Sequence, residues 1–192
     1  MVCAGFSGQA LAEKADRFKR VTILADLSDG DANNPKLTGN VSIEQGTMRI
    51  YSEQALVRFD KNKKYQATLT NSKERPVCFR QKKDNSTDLL KGQADRVEYD
   101  QNKDLVEFFG NVVVHDGPNE MVSDYVRYQL SNEKFEVRPS KTSSSKKQVR
   151  MDIIPIEKEA VNDKGEHLLK TSKEIEAERH EPLTRYCTEK TL

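Results

Sequence analysis

Apolar and polar residues alternate in short runs along most of this chain. Val41-Ser42-Ile43-Glu44, Met48-Arg49-Ile50-Tyr51, Val97-Glu98-Tyr99-Asp100, Phe135-Glu136-Val137-Arg138 and Val149-Arg150-Met151-Asp152-Ile153 all follow a period of two. That period sends successive side chains to opposite faces, so each run predicts a strand with one buried and one wet face. Turn formers separate them: Asp29-Gly30-Asp31, Asn33-Asn34-Pro35, Gln45-Gly46, Asp116-Gly117-Pro118 and Ser131-Asn132. From Val21 to about Ile156 the pattern predicts an all-β sandwich, roll or solenoid, without convincing helices.

An internal repeat sharpens this. Gly39-Asn40-Val41-Ser42-Ile43-Glu44-Gln45-Gly46 matches Gly110-Asn111-Val112-Val113-Val114-His115-Asp116-Gly117, and the same spacing holds through Ile50/Met121 and Ser52/Ser123. Phe59-Asp60-Lys61-Asn62-Lys63 is echoed by Tyr99-Asp100-Gln101-Asn102-Lys103, and Ala25-Asp26 resembles Ala94-Asp95. A strand ending in Gly-Asn cannot bury its apolar face alone, whereas stacked copies can. The glycines predict a bend or bulge where the sheet changes direction.

Composition narrows the function classes. Among 192 residues, 32 Lys+Arg face 31 Asp+Glu, and this balance lacks the basic surplus a general nucleic-acid binder needs. With 35% hydrophobic residues, 33% charged ones and no Trp, the core is thin for the length. No run approaches a membrane span. Ala10-Leu11-Ala12 has the small-x-small form of a signal-peptidase site, which predicts residues 1–12 as the remnant of an export signal and Glu13 as the mature start. The β domain is expected over 13–156. From Glu157 to Leu192 the chain is polar, predicting a largely disordered tail with at most a short helix over Ser172–Arg179, capped by Thr171 and Glu174. Thr142 to Lys147 reads as an exposed hairpin loop. Cys78 and Cys187 could pair in an oxidising compartment, but spacing cannot establish proximity, so bonded and free states both stay open.

Catalytic and cofactor signatures are missing: there is no P-loop, nucleophile elbow, His-Glu-x-x-His helix or Cys/His cluster. His115 reads as an exposed turn residue, and His167 and His180 belong to the tail. Asp95 and Glu98 read as solvated faces. No enzyme, metal site or cofactor is expected, which leaves binding.

Lys36 to Ala55 (KLTGNVSIEQGTMRIYSEQA), Arg75-Pro-Val-Cys-Phe-Arg80, Gly92-Gln-Ala-Asp-Arg-Val-Glu-Tyr-Asp100 and Phe109-Gly-Asn-Val-Val-Val114 together resemble the OstA-like (LptA) family of lipopolysaccharide-transport proteins. The likeness extends from Lys14-Ala-Asp-Arg17 and Val21-Thr-Ile-Leu-Ala-Asp26 to Gln148-Val-Arg-Met-Asp-Ile-Ile-Pro155, covering residues 14–156. It implies an open β-jellyroll of antiparallel hairpins in the periplasm, with an apolar groove for lipopolysaccharide acyl chains. It further implies head-to-tail homo-oligomers, supplied by an inner-membrane LptC-like protein and drained by an outer-membrane LptD/LptE-like complex. First-strand positions fall on Val21 and Ile23, and the family's Pro-x-x-Phe element on Phe79. Alternation adds Val41, Ile43, Met48, Ile50, Val57, Phe59, Val97, Tyr99, Val112 and Val114 as groove candidates, with plain core as the competing reading. The competing functions are a protein-binding β-scaffold and an accessory domain related to LptC or to the leading domain of LptD, neither carrying lipid of its own.

Overall fold

The alternating runs become twelve strands in a computed structural model, which describes residues 16–71, 75–83, 86, 88–139, 149–153, 183–184 and 186–188. The strands are β1 (Val21–Leu24), β2 (Leu27–Asp29), β3 (Lys36–Gln45), β4 (Met48–Phe59), β5 (Tyr65–Thr70), β6 (Val77–Lys82), β7 (Leu89–Ala94), β8 (Arg96–Asp100), β9 (Leu105–Asp116), β10 (Asn119–Gln129), β11 (Lys134–Arg138) and β12 (Arg150–Asp152). All their pairings are antiparallel. The signal remnant expected over residues 1–12, the Thr142–Lys147 loop, the helix over 172–179, His167 and His180 lie outside the described residues.

Four long strands change partners midway, and this creates two layers. The first half of β4 pairs with β6 and its second half with β5. In the same way β9 pairs first with β8, then with β7. One layer therefore runs β1-β3-β4-β6-β7-β9-β10-β12, and the other β2-β3-β4-β5-β8-β9-β10-β11. Both sequences of strands end unpaired among the described residues, so this is an open jellyroll.

The Gly-Asn repeat makes the crossing. Gly39 and Asn40 have φ of 76° and 42°, and Gly110 and Asn111 have 74° and 46°. In each case the register skips so that the Gly-Asn pair opposes one residue, Glu53 on β4 or Asp124 on β10. A left-handed pair opposite a single residue is a bulge that bends the strand from one layer into the other. The Ala-Asp elements complete both corners. Asp26 N–H donates to Gly39 O at 2.9 Å and Asp95 N–H to Gly110 O at 3.0 Å. The Asn40 and Asn111 amides donate to the carboxylates of Asp26 and Asp95 at 2.9 and 3.0 Å. Asp95 is thus a half-buried corner acceptor, not the solvated residue expected from the sequence. Glu98, on the wetter face, pairs with Arg96 at 3.5 Å.

The second repeat element forms two neighbouring turns. Asp60 and Asp100 each accept backbone N–H bonds from their own turns, and Asn102 Nδ2 donates across to Asp60 at 3.0 Å. These bonds hold the Asp60 carboxyl below its usual range, the largest effect being the Asn102 amide.

Two further expectations are corrected. His115 is no exposed turn residue: β9 is flanked by β7 and β10 at this point, and the ring is buried with Nε2 3.1 Å from Glu120. Glu120, 1% exposed, also pairs with Arg150 and so ties β12 to the sheet. The chain's end is not wholly a loose polar tail either. Leu183, Tyr186 and Cys187 pack with Cys78, Val113, Tyr51 and Val122 on the outer face, and Cys78 and Cys187 form a disulfide.

Candidate functional site: the interior between the sheets

Alternation fixes which side chains point between the layers. Ten of the groove candidates, Val41, Ile43, Met48, Ile50, Val57, Phe79, Val97, Tyr99, Val112 and Val114, are at most 4% exposed and belong to one continuous apolar cluster. Val21, Ile23 and Phe59 are half-buried and pack against it. All thirteen therefore converge on the same interior, joined by Leu69, Val106, Phe108, Met121, Val126 and Tyr128, which the sequence reading did not select. In this structure they pack against one another: Phe79 meets Phe108 edge-on, centroids 5.7 Å apart, across the two layers. A Cβ on Gly92 would come within 2.6 Å of the Phe108 ring, so this glycine is what lets the layers approach.

Opposite the Gly-Asn corners, the hairpin tips of the two layers meet along a seam. Polar side chains line it. Gln45, ending β3 in the first layer, accepts from Tyr65 Oη at 3.4 Å and from Gln101 Nε2 at 3.3 Å, both on the second layer. Further along, Tyr128 Oη donates to Asp116 Oδ2 at 3.4 Å. Lys83 Nζ lies 2.7 Å from Asp116 and 3.1 Å from Glu133, spanning the seam. Gln45, Gln101 and Asp116 are buried polar residues, tolerable only because each finds such partners. Burial works against the Lys83 ammonium, but its bonds to the two carboxylates prevail and its pKa is raised. Burial pushes the Tyr65 and Tyr128 hydroxyls far up, so both stay protonated donors. From the sequence, Gln45 and Asp116, which the repeat aligns, read only as turn formers, and nothing singled out Tyr65, Lys83, Tyr128 or Glu133.

Exposed apolar side chains gather at the two open ends. Phe18, Leu24 and Leu27 lie at the β1/β2 end, and Phe135, Met151 and Ile153 at the β11/β12 end; Leu56 alone lies elsewhere among the described residues.

These features define the class of protein: an open two-layer β-jellyroll with a largely apolar interior, a polar seam and apolar side chains exposed at its open ends. The comparisons specify it. Residues 22–134 match the family described as LptA/(LptD N-terminal domain) LPS transport protein, and the chain belongs to that family. The activity that description names is lipopolysaccharide transport, not catalysis. The lipopolysaccharide export system protein LptA of Escherichia coli strain K12 is 25% identical over 159 residues, spanning 82% of this chain and 83% of the relative. The protein of the same name from Shigella flexneri matches equally. The crystal structure of LptH, the LptA homologous periplasmic component of the lipopolysaccharide transport device of Pseudomonas aeruginosa, superimposes with a TM-score of 0.64 at 18% identity, covering 73% of this chain and 99% of that one. That likeness confirms the jellyroll.

Proposed function

We propose that this protein is a periplasmic carrier and bridge for lipopolysaccharide, which shields lipid A acyl chains between its two sheets on the way from inner to outer membrane. The observation that carries this reading is the convergence of the inward alternating positions on one apolar interior, within a sheet pair that never closes. Each methylene withdrawn from water contributes about 0.8 kcal/mol, so a twelve-carbon chain is worth on the order of 10 kcal/mol. Several such chains make an unshielded aqueous crossing prohibitive. The groove would be lined by Val21, Ile23, Val41, Ile43, Met48, Ile50, Val57, Phe59, Phe79, Val97, Tyr99, Val112 and Val114. Acyl chains would replace contacts these side chains now make with each other, as at Phe79–Phe108.

The exposed apolar groups at both open ends support head-to-tail stacking, since an unpaired edge invites strand addition and a heterologous contact extends into a filament. In such a bridge one end would meet an LptC-like inner-membrane protein and the other an LptD/LptE-like outer-membrane complex. Photo-crosslinking residues at Ile23 and Phe79 are expected to capture lipopolysaccharide in cells; absence of adduct at both positions argues against the groove.

The tight interior packing favours a second reading, a protein-binding scaffold without cargo. Delipidated protein that polymerises but takes up no lipopolysaccharide would support it. The family description also covers the LptD N-terminal domain, which keeps an accessory-domain role as a third reading.

A further inference from the structure

The seam near Lys83 combines three features that the carrier reading leaves unused. First, the lips are joined there by side chains from separate layers, Lys83 with Glu133 and Asp116 with Tyr128. Second, a small cavity opens at this point, bordered by Lys83, Leu90, Tyr128, Leu130 and Glu133. Its rim is charged, and its floor leads through Leu90 and Tyr128 into the apolar cluster. Third, the two carboxylates on Lys83 differ in setting. The Asp116 side chain is 10% exposed and belongs to the same layer as Lys83, whereas that of Glu133 is 39% exposed and lies on the opposite lip. Parting the lips would leave Lys83 held by Asp116 and let Glu133 hydrate at little cost, freeing one face of the ammonium.

A charged rim over an apolar floor suits a molecule of the same design. We infer that the seam at Lys83 is a lateral loading slot for an anionic amphiphile, with Lys83–Glu133 as its latch and Lys83 as the cation that receives the anionic head once the chain has entered. Asp116 is a positioning residue that keeps the ammonium at the rim. This deepens the carrier function and rests on it for the cargo, but the latch itself can be tested without any lipid.

The experiment uses the full oxidised chain in a Cys3→Ser background, so that Cys78–Cys187 leaves no native thiol. Leu90→Cys reports seam opening through its rate of reaction with a thiol reagent. Adding Glu133→Gln is expected to raise that rate several-fold, while thermal melting checks that the fold is intact. An unchanged rate overturns the latch. Uptake is then followed with a fluorescent dodecyl phosphate and a dodecyl maltoside carrying the same label. The parent protein should load the phosphate faster. Lys83→Met should load both at one common rate, and preserved preference in that variant overturns the role of Lys83. Joining Lys83→Cys to Glu133→Cys with a short bismaleimide should slow loading at least tenfold. Undiminished loading there means that cargo comes in through the open ends, which rejects the slot and leaves the carrier function standing. Failure of the parent to take up either probe counts instead against the carrier function, and the Leu90→Cys rates still decide the latch.

Discussion

Gly39 and Gly110 show how much structure one residue type can dictate. Both sit at positive φ where a Cβ would run into the carboxylate of Asp26 or Asp95. Gly39→Ala is therefore expected to cost about 1–3 kcal/mol in a denaturant titration, from backbone strain and collision together. A loss below about 0.5 kcal/mol would mean that the corner does not need its glycine. The Gly-Asn pairs were legible beforehand because a bulge leaves a compositional mark. Their aspartate partners were not, since nothing in an Ala-Asp dipeptide says which carbonyl its amide will meet. His115 was misread for a related reason: a turn sequence at 116–118 says nothing about the strands on either side. Asp16 offers a pH test at the same scale. It is buried, which alone would raise its pKa, but the bonds from Lys19 and Thr47 more than compensate and the pKa is lowered. A lowered folded pKa gives stability that is present above the unfolded value near 3.9 and fades as pH falls through the folded one. Asp16→Asn should thus weaken the protein at pH 7, with the gap to the parent closing as pH falls below the unfolded value and through the lowered folded one. A gap independent of pH would contradict the charge-based origin.

Among the elements, strands with strict alternation were the easiest to find, and β3, β4, β8 and β9 were marked by the repeat as well. The segment over residues 183–188 was the hardest. Its composition is polar, and only a few of its side chains decide its place: Leu183 and Cys187 are buried, and Thr184 N–H donates to Gln93 Oε1 at 2.7 Å. A disulfide that joins two sites 109 residues apart restricts the unfolded chain strongly, by about 4–5 kcal/mol in the chain-entropy description. Cys187→Ala should lower unfolding free energy by a few kcal/mol and raise hydrogen exchange in β6. Equal stability in oxidised and reduced protein would show that the bond restrains nothing. Gly92 gives a second test on β7: Gly92→Val should cost about 1–3 kcal/mol through overpacking against Phe108, read from the thermal midpoint.

For the whole molecule, the decisive property is that neither layer closes. Alternation and the repeat announced an all-β stack, and the Gly-Asn pairs marked the bends in β3 and β9, but nothing local says which strands the two halves of β4 and β10 will meet. The seam was illegible for the same reason, because its residues come from six hairpin tips. Edge-strand assembly is expected to respond to proline in β1. Val21 and Thr22 are neighbours, so one amide faces β3 and the other faces outward. Of Val21→Pro and Thr22→Pro, one should leave folding intact while shifting light-scattering mass toward monomer. Unaltered concentration dependence in every folded variant would rule out β1 as the joining edge.

The most direct test of the interior as a lipid site is intermolecular NOE spectroscopy on methyl-labelled protein loaded with lipopolysaccharide. Contacts from acyl methylenes to the methyls of Ile43, Ile50 and Val114, with none to exposed Leu56, are the predicted result. Contacts confined to Leu56 and the exposed ends, with the interior methyls silent, would contradict it.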